Sequence, residues 1–116
     1  MPMPISLKSL LGANPFFAGL GEEAVEAIAG LCLRRSLAAE EVLFLKGDPG
    51  DALYAVRRGQ IRIATSTGSG KRLTLNLLGP GDVFGEVALL DGRPRTADAV
   101  AVEASELFMV RRRDFL

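Results

Sequence analysis

Phe84-Gly85-Glu86-Val87-Ala88-Leu89-Leu90-Asp91-Gly92-Arg93-Pro94-Arg95-Thr96-Ala97 puts a glycine at the end of a strand, a short helical turn after it, and a returning arginine beside a hydroxyl. The exposed amides of a helix start carry partial positive charge, and a guanidinium offers two parallel donors. Where the two converge they form an anion site, and a phosphate fits it. Glu86 would repel that phosphate unless another part of the ligand needs an acceptor, as a sugar hydroxyl does. The pattern therefore asks for a compact nucleotide held by Gly85, Glu86, Arg95 and Thr96.

On either side of this stretch the chain reads as short strands punctuated by glycine. They are expected at 42–46, 53–57, 60–65, 72–77, 83–84, 96–102 and 106–110, a spacing that suits a sandwich or barrel. Gly59, Ile61, Ile63 and Thr65 share one face by alternation, as do Leu73, Leu75 and Leu77, so these apolar sides are expected to meet across a hairpin. Its turn, Thr67-Gly68-Ser69-Gly70-Lys71, is not a nucleotide-triphosphate loop. That motif would need glycine at Thr65 and a hydroxyl at Arg72.

Before the strands, Val25, Ile28, Ala29, Leu31 and Cys32 recur at helical spacing. They predict an amphipathic helix over 22–34, acidic at its start and basic at its end. The segment 10–20, with Asn14-Pro15 and Phe16-Phe17, reads as a lead-in that tucks aromatic rings under the domain. Cys32 sits on the apolar side of its helix and reads as packing.

Composition narrows the chemistry. The 116 residues suit one domain, and 14 basic residues balance 14 acidic ones, so no global field draws in a polyanion. Histidine is absent, which removes the commonest general base and metal ligand and sets hydrolytic and zinc chemistry at a low prior. A lone cysteine allows no internal disulfide and fits a reducing, cytoplasmic setting. No run reaches the ~18 apolar residues of a membrane span. Arg111-Arg112-Arg113 reads as a solvated face rather than a nucleic-acid patch.

Gly85-Glu86-Val87-Ala88-Leu89 followed by Pro94-Arg95-Thr96-Ala97 resembles the phosphate-binding cassette of the cyclic nucleotide-binding domain family. That family includes catabolite-activator-type bacterial transcription regulators, regulatory subunits of protein kinase A and cyclic-nucleotide-gated channels. Gly47-Asp48, Gly50-Asp51, Tyr54, Gly59 and Gly81-Asp82 extend the likeness over nearly the whole chain. The resemblance implies a mainly β fold with flanking α: a jelly roll with N-terminal helices and a short helix in the cassette. Residues 1–116 would form this single domain, with a lid helix and an output domain beyond Leu116.

By the same resemblance, Glu86 would accept the ribose 2′-hydroxyl and Arg95 would pair with the cyclic phosphate. The amides of Gly85, Val87 and Ala88 would line the cassette, and Ile63 and Leu75 would lie beside the purine. Thr96 would reach the phosphate or the 2-amino group of a syn guanine. The expected ligand is cyclic AMP, with cyclic GMP as the alternative, and no cofactor, metal or catalytic residue is expected. The Arg111-Arg112-Arg113-Asp114-Phe115-Leu116 ending resembles the bacterial regulators. It implies a homodimeric parent that meets DNA through a helix-turn-helix domain and not through this one, with no membrane contact. A channel or kinase regulatory domain, or a domain of the same fold that has lost nucleotide binding, are the alternatives.

Overall fold

The computed structural model describes residues 7–13, 17, 19, 21–66, 69–85 and 91–115. Two helices, α1 (Leu7–Ala13) and α2 (Glu22–Gly30), precede eight strands: β1 (Leu33–Leu37), β2 (Val42–Phe44), β3 (Ala52–Arg58), β4 (Ile61–Ser66), β5 (Arg72–Leu78), β6 (Val83–Phe84), β7 (Asp98–Ala101) and β8 (Ser105–Arg111). A last turn of helix, α3 (Arg112–Phe115), closes the described chain.

The run Ala52-Leu53-Tyr54-Ala55-Val56 has no polar break, as a strand covered on both faces requires, and all five residues are buried in β3. Leu53 and Ala55 face outward with Phe108 and Val110, against Leu7 and Leu11 of α1, Phe17, and Val25 and Ile28 of α2. Ala52, Tyr54 and Val56 face inward and pack with Ile61, Phe84, Ala99, Ala101 and Leu107. The strands form two four-stranded sheets, ordered β1-β8-β3-β6 and β2-β7-β4-β5. The fold is the expected β jelly roll with helices against one outer face.

Two expectations need correction. The helix predicted over 22–34 ends at Gly30, and Leu33–Leu37 instead pairs antiparallel with β8, from Leu33 opposite Met109 to Leu37 opposite Ser105. Apolar spacing carried the helical reading through Leu31 and Cys32, but β8 offers this segment a ladder of backbone partners that a longer helix would leave empty. Arg34 and Arg35 therefore lie on a strand, Arg34 reaching Glu106 at 3.3 Å.

The second correction is the β4–β5 hairpin. Ile61 lies opposite Leu78, Arg62 opposite Leu77 and Ile63 opposite Asn76. The register then shifts so that Ala64 faces Thr74. Directly opposed residues share a face, so Leu77 lies on the Arg62 side while Ile61 and Ile63 meet Leu78 and Asn76; the strands pair one residue out of the expected register, and such an offset exchanges the faces of a strand. The leucines do not close over Ile61 and Ile63: Leu73, Leu75 and Leu77 are 48%, 59% and 50% exposed.

Candidate functional site

Arg95 is 8% exposed, far below what a surface arginine shows. Its main chain is tied to the loop after β2. The Arg95 N–H donates to the Asp48 carbonyl at 2.8 Å, and its carbonyl accepts from the Gly47 N–H at 2.8 Å. Asp48 Oδ2 accepts from the Leu45 N–H at 2.8 Å and folds that loop back on itself. This is the structural use of the Gly47-Asp48 pair.

The side chain is held by neutral groups. Nη2 donates to the Ala52 carbonyl at 2.6 Å, and the guanidinium carbon lies 4.3 Å from the centre of the Phe44 ring and 5.7 Å from that of Tyr54. Asp51 Oδ1 is 3.9 Å from Nη2, but Asp51 is largely solvated and contributes little to a fixed pair. Nε is buried and has no hydrogen-bond partner among the described residues. A guanidinium carries five N–H donors, so this buried cation has bonding capacity left over. Burial pushes its pKa below the usual arginine value, with Tyr54 and Asp51 acting the other way.

Gly85 stands against this group with φ at +77°. A Cβ there would lie 2.7 Å from Arg95 Nη1 and 3.0 Å from the Ala52 carbonyl oxygen. Glycine is therefore required twice, by the left-handed backbone and by the approach of the arginine.

Phe44, Ile63, Phe84, Gly85, Arg95, Thr96 and Ala97 line a cavity of about 190 Å³. One end carries the guanidinium and Thr96, and the walls are aromatic and aliphatic. Such a cavity takes an anion at one end with a flat or apolar group beside it. Ile63 is among the lining residues, whereas Leu75 sits at the bulge and does not line the cavity. Glu86, Val87 and Ala88 lie outside the described residues. Phe44 and Phe84 also line the site, and no spacing signal in the sequence distinguishes them from other inward phenylalanines.

A larger cleft of about 590 Å³ is lined by Arg35, Asp51, Tyr54, Arg111 and Arg112 among others. Volume alone would favour it, but it contains neither Gly85, Arg95 nor Thr96, and Arg111 there is already paired with Asp114 at 2.7 Å. Arg93, two residues from Arg95, is 84% exposed at its side chain and lies near Asp91 at 3.6 Å. Only one arginine of the pair is built into the roll.

Residues 34–116 match the family described as the cyclic nucleotide-binding domain. The chain belongs to this family. It is 43% identical over 103 residues to the cyclic AMP receptor protein of Thermus thermophilus, covering 89% of this chain and 48% of that protein. A cyclic nucleotide-gated potassium channel of Mesorhizobium japonicum is 33% identical over 106 residues, 91% of this chain and 28% of the channel. The regulatory domain of Toxoplasma gondii protein kinase A, solved with cyclic AMP, superposes with a TM-score of 0.85 at 30% identity, over 95% of this chain and 42% of that one. The chain spans about half the length, or less, of the curated relatives it matches. As a family member it is a cyclic nucleotide-binding regulatory domain, and none of the described helices is long and apolar enough to cross a membrane.

Proposed function

We propose that the domain senses cyclic AMP as part of a cytoplasmic, homodimeric bacterial transcription regulator, with DNA contacted by an attached domain and no reaction catalysed by this one. The observation that carries the ligand reading is Arg95, a buried cation that lines the cavity and has an unpartnered Nε, against a glycine that leaves it room. The phosphate pairs with Arg95, Gly85 and Thr96 border it, and the purine lies along Ile63. Glu86 takes the ribose hydroxyl, with the amides of Val87 and Ala88 on the phosphate. The cyclic AMP reading is supported by the Thermus cyclic AMP receptor protein, whose identity exceeds that of the channel, and the transcription context by a CRP-like cAMP-activated global transcriptional regulator of Mycobacterium tuberculosis, 28% identical over 96 residues.

The test is calorimetric titration with cyclic AMP and cyclic GMP, followed by melting. At a ligand concentration ~100-fold above Kd the domain gains ~2.7 kcal/mol. No heat and no melting shift with either nucleotide at millimolar concentration overturns the reading. The base is assigned by Thr96→Ala. A guanine contact predicts that cyclic GMP alone loses about 1 kcal/mol, and a phosphate contact predicts similar losses for both. Nucleotide incubated with the protein is recovered intact.

A further inference from the structure

We infer that Phe44, on β2, is a positioning residue for the anion-binding arginine: its ring is the bed that keeps Arg95 buried and aimed before any ligand arrives. The inference rests on the reading of Arg95 as the phosphate partner and adds a residue to that site.

A desolvated guanidinium with an unfilled donor would ordinarily swing toward water or toward the nearest carboxylate. Here the carboxylate, Asp51, is solvated and 3.9 Å away. What lies against the cation is a carbonyl, from Ala52 at 2.6 Å, the face of Phe44 at 4.3 Å and, farther off, the ring of Tyr54 at 5.7 Å. An aromatic face attracts a cation through its quadrupole, and the attraction grows when water is excluded. The ring is itself fixed: its centre lies 6.1 Å from that of Tyr54 and 6.3 Å from that of Phe84, and those two stack at 5.5 Å. The three rings thus form one cluster, with Arg95 nearer to Phe44 than to Tyr54. An aromatic face supports the cation without neutralising it or using its N–H donors, which a carboxylate in the same place would do. Arg95 therefore stays available to an incoming anion.

The experiment compares the parent with Phe44→Leu, Phe44→Met and Phe44→Tyr, measuring melting temperature and the affinities for cyclic AMP and for adenosine, which lacks the phosphate. Phe44→Leu and Phe44→Met keep apolar bulk without the π face, and Phe44→Tyr keeps the face. The expected result is a loss of cyclic AMP affinity of about 3- to 20-fold in the Leu and Met variants. Phe44→Tyr should stay within about 2-fold of the parent, and in the Leu and Met variants adenosine should lose at least about 3-fold less affinity than cyclic AMP. Having two aliphatic variants covers the case in which one does not fold. Equal loss for adenosine and cyclic AMP would make Phe44 a plain wall of the pocket and overturn the inference, as would unchanged affinity in the aliphatic variants. Failure of the parent to bind any cyclic nucleotide overturns the ligand reading itself, a different outcome from either.

Discussion

Gly85→Ala tests the geometry on which the site depends. Alanine at φ +77° has a left-handed backbone costing roughly 1–2 kcal/mol. Its Cβ would also stand 2.7 Å from Arg95 Nη1 and 3.0 Å from the Ala52 carbonyl oxygen. Arg95 can yield only by leaving the Ala52 carbonyl, and losing a hydrogen bond to a charged group costs about 1.5–3 kcal/mol. The combined loss is on the order of 3 kcal/mol, which in a domain of this size lowers Tm by roughly 10 °C or more. Calorimetric melting measures it, with Gly12→Ala in α1 as the control. Gly12 has nothing within 4 Å of a built Cβ, so alanine there should be neutral or stabilise by up to about 1 kcal/mol. Titration with cyclic AMP should show the same Gly85→Ala variant binding at least ~10-fold more weakly, since the displaced guanidinium is the anion's partner. A Gly85→Ala protein that melts within about 1 °C of the parent, with unchanged affinity, would refute the argument that glycine is needed here for Arg95.

Arg95→Ala should weaken cyclic AMP binding by on the order of 2 kcal/mol or more, while Arg93→Ala, at an exposed position, should leave it within a few tenths; equal effects in titration would misplace the cassette. Burial pushes the Tyr54 phenol above its ordinary value near 10, with Asp51 adding to the shift. A raised folded pKa means this group's contribution to stability is complete below about pH 10 and is lost as pH rises through the folded midpoint. Tyr54 is the only tyrosine and tryptophan is absent, so tyrosinate absorbance should show a midpoint above 10 in the folded protein, and a midpoint at or below 10 contradicts the burial argument. Leu107→Ala, at a side chain with no exposure, should cost about 2–5 kcal/mol in denaturant unfolding, whereas Leu77→Thr should cost under about 0.5, and a large Leu77 effect would restore the hairpin face that the pairing register removes. Glu106→Gln, which frees Arg34, Arg57 and Arg58 from contacts of 3.3, 2.9 and 3.2 Å, should destabilise by about 1 kcal/mol at low salt and less at high salt.

Local chemistry alone determined the strand-rich reading, the turn glycines and the pairing of Gly85 with Arg95 and Thr96, because each depends on residue types at short range: alternation, left-handed turns, a donor beside a hydroxyl. Tertiary structure decided what depends on partners distant in sequence. Leu33–Leu37 became a strand because β8, more than sixty residues later, supplies its ladder. Leu77 fell on the Arg62 side, away from Ile61 and Ile63, because β5 pairs with β4 one residue out of the expected register, and nothing in the alternation of β5 encodes that offset. Arg95 and Arg93 are the same residue type two positions apart. The first is buried and the second solvated because Asp48, Ala52 and Phe44, brought in from other strands and loops, close around only one of them. The residues that could grip an anion were legible in the chain, but the carbonyl and the ring that hold the grip in place emerged only when the two sheets folded together.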